Sequence, residues 1–204
     1  MTGYSVNASG NKDMVIWRYN SDGMPDTSFN TDGIVVHHAA AGGNGDDVGL
    51  SLALDANGRT LVTGYSVNAS GNKDMVIWRY NSDGMPDTSF DTDGIVVHDS
   101  AAGGNGDDEG ISLALDADGK ILVTGYSVNA SGKRDMVIWR YNPDGSLDSN
   151  FDTDGIVVHD SAAGGNDHDE GRSMTVDFDG KILVTGYSLN VSSNKDMTIW
   201  RYNP

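Results

Sequence analysis

The chain has 204 residues and a formal net charge of −17, from 30 Asp plus Glu against 13 Lys plus Arg, an excess that repels nucleic acid and anionic lipid surfaces. It contains no cysteine, which excludes a disulfide framework, a thiol nucleophile and a thiolate metal site. With 37% hydrophobic residues and 27 glycines, it can build a core and many tight turns, but no stretch nears the roughly 18 apolar residues of a membrane span and no basic-then-apolar export signal opens it.

Met1 stands directly on Thr2-Gly3-Tyr4-Ser5, which ends a strand in later copies, so the chain is expected to open in mid-repeat. Trp17, Trp78, Trp139 and Trp200 then follow one another at intervals of 61, each within Ile-Trp-Arg-Tyr-Asn. Gly3, Gly64, Gly125 and Gly186 keep the same interval in Thr-Gly-Tyr-Ser, and Gly33, Gly94 and Gly155 open Gly-Ile-Val-Val-His. The chain therefore reads as one repeat domain over residues 1–204, with copies at about 2–62, 63–123 and 124–184 and a partial copy at 185–204. A unit of this size is longer than the blade repeats of about 40 to 50 residues and leaves room for four strands with long loops.

In the best-framed copy the first strand is expected at Ile111-Ser112-Leu113-Ala114-Leu115, where large apolar and small residues alternate at period two. Asp116-Ala117-Asp118-Gly119 supplies a side-chain acceptor and a glycine for a hairpin turn. The second strand follows over residues 120–126, the polar loop Val128-Asn129-Ala130-Ser131-Gly132 comes next, and Met136-Val137-Ile138-Trp139-Arg140-Tyr141 forms the third. Both faces of that third strand are largely apolar, so it requires cover on both sides, as between the blades of a propeller. Asn142-Pro143-Asp144-Gly145 ends it, since proline has no donor for the ladder. A long connection then leads to a short outer strand, Ile156-Val157-Val158-His159, and Ala162-Ala163-Gly164-Gly165-Asn166 carries the chain inward again. The fold class is all-β, a β-propeller of four-stranded blades. With the N-terminal remnant the expected count is fourteen strands, about three and a half blades per chain. Two chains would supply seven blades, within the usual four to eight, so self-association as a homodimer is expected; a strand-swapped junction, an open array or a piece of a longer chain are the alternatives.

The residues also carry a family resemblance. Lys120-Ile121-Leu122-Val123-Thr124-Gly125-Tyr126, the run from Trp139 through Asn142-Pro143-Asp144-Gly145 to Asp148, and Asp107-Asp108-Glu109 before the inner strand resemble the delta-60 repeats of large bacterial surface or secreted proteins. The resemblance covers essentially the whole chain. It implies propeller-like repeats in an extracellular or cell-surface setting and brings no catalytic residue with it.

Four sets of residues are candidates for chemistry. Asp46, Asp107 and His168, then Asp47, Asp108 and Asp169, then Val48, Glu109 and Glu170, stand in register before the inner strands. If they gather at one mouth of a channel, Asp46, Asp47, Asp107, Asp108, Glu109, Asp169 and Glu170 are oxygen ligands for Ca²⁺; no complete calcium-loop spacing is present, and capping of loop amides accounts for them without a metal. Asn30-Thr31-Asp32-Gly33, Asp91-Thr92-Asp93-Gly94 and Asp152-Thr153-Asp154-Gly155 share the opening of an EF-hand loop but lack its distal Glu, and turn chemistry explains the Asp-Gly pairs. His37, His98 and His159 close the outer strands, where they would diverge rather than converge on a metal. The repeated Trp-Arg-Tyr strand, with Arg18, Arg79, Arg140 and Arg201, reads as packing between blades, the guanidinium groups stacking on aromatics or pairing with carboxylates. The Asn-x-Ser triplets at Asn7, Asn68, Asn129 and Asn190 read as polar turns.

No set combines a nucleophile with a base, and near-identical repeats place the same residue in every role, whereas catalysis needs different residues in different roles. The expected function is therefore a non-enzymatic scaffold or binding module without a cofactor, its protein or glycan ligand not readable. A calcium module, a glycan or small-ligand module using Tyr4, Tyr65, Tyr126 and Tyr187 as exposed aromatics, and a propeller hydrolase with carboxylates at the channel mouth are the alternatives.

Overall fold

A computed structural model describes Met1–Asn203 and, within those residues, holds fourteen strands and no helix. They form four antiparallel sheets in chain order. The first contains β1 (Thr2–Val6), β2 (Lys12–Trp17) and β3 (Ile34–His37); the second β4 (Asp47–Leu54), β5 (Thr60–Val67), β6 (Lys73–Tyr80) and β7 (Ile95–His98). The third contains β8 (Gly103–Leu115), β9 (Ile121–Asn129), β10 (Arg134–Tyr141) and β11 (Ile156–His159); the fourth β12 (Gly164–Val176), β13 (Ile182–Asn190) and β14 (Lys195–Tyr202). The expected fourteen strands are thus divided into two complete four-stranded blades flanked by two three-stranded ones. The first sheet lacks the inner strand of the repeat and the last lacks the outer one.

The turns follow from local chemistry. Asp116 Oδ1 accepts the amides of Asp118 and Lys120 at 3.0 and 2.8 Å, and Gly119 takes the φ of 75° that the hairpin needs. Asn129 Oδ1 likewise accepts the Ser131 and Lys133 amides at 2.9 and 3.1 Å, so the Asn-x-Ser triplet is a turn device. Asp93 Oδ1 accepts the Ile95 amide at 2.9 Å, and Asp32 and Asp154 repeat this contact. These short loops leave the strands in register over their full length, with Tyr141 opposite Ile121 and Arg134 opposite Val128.

Where the sequence suggests a glycine-rich connection followed by an acidic loop, the structure instead shows one long inner strand. β8 begins at Gly103 and β12 at Gly164, so Asp107, Asp108, Glu109, Asp169 and Glu170 lie within strands, and Asp47 opens β4. The physical reason is the missing side chain at Gly104, where a Cβ would stand 2.2 Å from the Val128 carbonyl oxygen. Its absence lets the segment approach the tail of the second strand and pair Gly103 with Asn129. A bulge between Gly110 and Ser112 then shifts the register; Gly125 sits opposite, where a Cβ would meet the Glu109 carbonyl oxygen at 1.8 Å.

Each sheet packs on the next in chain order. Leu61, Met75, Ile77, Phe90 and Val96 of the second sheet share one core cluster with Leu113, Val123, Val137, Trp139 and Tyr141 of the third, and each of the other two junctions has its own cluster. The third strands are covered on both faces, as their composition requires: Met136, Val137, Ile138 and Trp139 are all fully buried. Burying each such side chain contributes about 1.5–3 kcal/mol, which makes the junctions the main source of stability. On the last sheet no further blade covers Met197 and Ile199, which are 74% and 59% exposed.

Candidate functional site

The acidic positions of the inner strands divide into three layers with separate tasks. Asp47, Asp108 and Asp169 are buried almost completely. Asp47 accepts the amides of Ala39 and Ala40 at 2.8 and 3.2 Å, Asp108 accepts that of Ser100 at 3.1 Å, and Asp169 those of Ser161 and Ala162 at 3.0 and 3.4 Å. Each carboxylate thereby ties the segment that follows an outer strand to the next inner strand. Ser66, Ser127 and Ser188 complete the cap through their hydroxyl oxygens, which accept the amides of Ala41, Ala102 and Ala163 at 2.9, 2.9 and 2.8 Å. Burial raises the Asp108 carboxyl to about 6, against the opposing effect of its hydrogen bonds.

The neighbouring position reaches across the blade junction. Asp46 Oδ1 accepts the Lys12 amide at 2.9 Å and Asp107 Oδ1 the Lys73 amide at 3.0 Å; in the last copy His168 Nδ1 takes the equivalent Arg134 amide at 3.0 Å. The third position pairs with the cation one blade back, Glu109 with Lys73 at 2.9 Å and Glu170 with Arg134; Glu170 also pairs with Arg172 on its own strand. Hydrogen bonds from Tyr187 and Arg134 hold the Glu170 carboxyl below its ordinary value despite its burial. Val48 stands at this position in the second sheet, so Lys12 pairs with Asp46 instead, at 3.4 Å. Among the described residues no three of His, Asp and Glu converge in a geometry that could hold a metal ion. The seven candidate ligands are divided among separate junctions, each facing amides or cations.

The tyrosines expected to be exposed beside loops are placed otherwise. Tyr65 and Tyr126 are buried, covered by Lys73 Nζ at 4.1 Å and the Arg134 guanidinium at 4.2 Å from their ring centroids. Only Tyr4 presents a largely open ring, at 48% exposure, because its sheet is an end of the array. The glycan reading built on four exposed aromatics is corrected accordingly: a ring under a cation and beneath the next blade is not a stacking platform for a sugar.

The histidines do lie on the outer strands, but each makes a contact that sequence spacing does not reveal. His37 Nδ1 and the Tyr80 hydroxyl are 3.1 Å apart, His98 and Tyr141 3.0 Å, and His159 and Tyr202 3.3 Å. Every pair joins one blade to the next, with the imidazole also beside Trp78, Trp139 or Trp200 at about 6 Å between centroids. Burial pushes His37 and His98 below the ordinary histidine value and raises the phenol values of Tyr80 and Tyr141, so each pair is a hydrogen bond between a neutral phenol and a neutral imidazole. The repeated arginines behave as their aromatic context suggests. Arg140 stacks over Phe151 at 4.5 Å and pairs with Asp148 at 2.9 Å, and Arg18 and Arg79 do the same with Phe29, Asp26, Phe90 and Asp87.

Open clefts remain at the opposite end of the inner strands, between the hairpin turns of adjacent blades. The cleft between the second and third sheets encloses about 270 Å³ and is lined by Asp55, Arg59, Leu61, Leu115, Asp118 and Ile121, with Pro143 at its edge. An equivalent cleft of about 140 Å³ lies at the next junction, among Asp116, Asp118, Arg140, Val176 and Ile182.

The family model described as a domain of unknown function (DUF5122) beta-propeller matches residues 2–29, 56–90, 117–151 and 179–204, together more than half of the chain. The matched segments carry the second and third strands and the arginine-bearing turn, while the buried acidic positions fall between them. Among solved structures the chain is similar to a fucose lectin from Kordia zhangzhouensis in complex with methyl-fucoside, at 16% identity and a TM-score of 0.41, over 74% of this chain and 94% of that one. No curated protein matches it.

Proposed function

The chain belongs to the DUF5122 beta-propeller family, and from that premise we propose that it is a non-enzymatic scaffold of the delta-60 type, presenting rigid blades in a bacterial cell-surface or secreted protein. The observation that supports this reading is the use to which the polar residues are put. In every complete repeat the buried Asp, the cross-junction acid, the His and the Arg each serve the same fold contact, so no copy keeps a set of unlike groups free for acid, base and nucleophile roles.

Self-association belongs to the same proposal. Met197 and Ile199 repeat Met136 and Ile138, which are fully covered by the following blade, so this face is built to receive a blade, and a second copy can supply one. Two chains carry twice two complete and two three-stranded sheets; a seven-bladed ring would require strands to be exchanged at the seams.

The test is a turnover screen with glycoside, ester and phosphodiester substrates, run beside thermal melts in calcium and in EDTA. A scaffold shows no turnover and an unchanged melting temperature. Turnover that disappears in a folded Asp108→Asn variant, or a melting temperature that drops in EDTA, overturns the reading in favour of a hydrolase or a calcium module respectively.

A further inference from the structure

We propose that the cleft between the hairpin turns of the second and third sheets binds a neutral sugar residue at the end of a glycan. The proposal goes beyond the scaffold reading, since a scaffold needs no ligand, and it begins with the walls. One side is apolar, made by Leu115, Ala117 and the Pro143 ring over the buried Leu61 and Ile121. The other carries Arg59 and two carboxylates, Asp55 and Asp118.

Arg59 is held in place by the fold. Arg59 Nε donates to Asp55 at 2.6 Å and Nη1 to Asp87 at 3.2 Å, which fixes the guanidinium plane and leaves Nη2 without a protein acceptor among the described residues. Asp118 has its backbone amide bound by Asp116 at 3.0 Å, while its own carboxylate receives no hydrogen bond from the described residues and faces solvent. The cleft therefore presents one oriented donor and one open carboxylate acceptor beside an apolar wall.

The charge balance selects the class of occupant. Asp55, Asp87 and Asp118 oppose an anion, and Arg59 with the buried Arg79 opposes a cation. A vicinal diol meets both signs at once, one hydroxyl accepting from Arg59 and its neighbour donating to Asp118, while the C–H face of the pyranose ring lies on Leu115 and Pro143. A pocket near the lower end of the usual 300–1,000 Å³ range suits a single ring. The smaller cleft at the next junction keeps the carboxylate and the apolar wall, with Asp179, Val176 and Ile182 in place of Asp118, Leu115 and Ile121, but lacks a counterpart of Arg59. Blade three contributes Ala117 and Asp118 to both.

The experiment uses the whole chain and the methyl glycosides of glucose, galactose, mannose and fucose at about 20 mM, suited to millimolar affinity. Saturation-transfer NMR reports contact, and the Arg59 Nε–Hε resonance reports location. The expected result is transfer to at least one glycoside, a shift of the Arg59 resonance with Arg18 unmoved, and at least tenfold weaker binding by Ala117→Trp. Ala117 is an exposed turn residue on the wall of both clefts, so the indole fills the space while the melting temperature stays unchanged. Absence of transfer from all four glycosides overturns the proposal, as does equal binding by the folded Ala117→Trp variant. Neither result bears on the scaffold reading, which turns on catalysis and metal dependence.

Discussion

Asp108 has no exposed surface and serves the Ser100 amide, so truncation would leave buried donors without a partner. Asp108→Ala is expected to cost about 1–3 kcal/mol, read as a lower melting temperature. Its titration gives a sharper check. The folded chain holds the Asp108 proton up to about pH 6, whereas an unfolded Asp releases it near about 3.9. The contribution of that proton to stability is fully present below the unfolded value and is lost as pH rises through the folded one. Across this window the melting temperature of the wild type should fall relative to that of Asp108→Asn, which has no proton to lose; parallel curves would refute the assignment. The histidines slope the other way. His37 and His98 are held neutral by burial, so their contribution is complete above about 6.5, the unfolded value, and is lost as pH falls through the lowered folded one. Around His98 the facing charges are Asp99 and Asp154, with Tyr141 as partner; around His37 they are Asp47, Asp93 and His38, with Tyr80. His98→Phe should flatten the acid limb of the stability curve, and Tyr141→Phe should cost about 1 kcal/mol at neutral pH.

At the level of strands and turns, glycines of similar appearance in the sequence have different consequences. Gly125 faces the bulge, where a Cβ would collide with backbone at 1.8 Å and neither strand can move without breaking the ladder. Gly125→Ala should therefore cost about 3 kcal/mol or more. Gly132, in a hairpin loop with φ of 76° and no atom within 4 Å of an added Cβ, should cost about 1 kcal/mol on replacement by Ala. Urea unfolding of the two variants separates these cases. Much of this level was legible in the sequence: period-two alternation, the Asp-x-x-Gly turns and the Pro143 stop placed the second, third and outer strands within a few residues. The inner strand was legible in its second half, Ile111–Leu115, which lies within β8; its first half was not, because glycine and aspartate discourage strands intrinsically and only close approach to Val128 and Asn129 turns Gly103–Asp108 into strand. The candidate site was legible as residues and not as partners. Asp108 and His98 stood out by recurrence, but the amide of Ser100 and the hydroxyl of Tyr141 lie 8 and 43 positions away, distances set by how one blade meets the next.

For the whole molecule, the unequal ends govern behaviour. The last sheet exposes Met197 and Ile199, while the first exposes Tyr4 and Tyr19. Such surfaces differ from one another, so the self-association proposed above would be head-to-tail. Light scattering should show a mass that rises with concentration above 21.6 kDa, and Ile199→Asp should return it to the monomer value without lowering the melting temperature. A mass fixed at the monomer value at all concentrations would exclude this mode of assembly. Within one chain, the cross-junction links recur: Asn30 donates its amide to the Asp83 carbonyl at 2.7 Å, and Asp91 does the same to Asp144 at 2.9 Å. A junction is defined wholly by the blade on either side of it, so the array tolerates recombination. If unequal crossing-over copies or deletes one 61-residue unit in register, each new seam keeps the recurring Trp, His, Tyr and buried Asp contacts and changes only at variable positions such as Val48, Glu109 and Glu170. Length can then drift through whole-unit slippage without passing through a misfolded intermediate, and a lineage can vary its reach far faster than its chemistry.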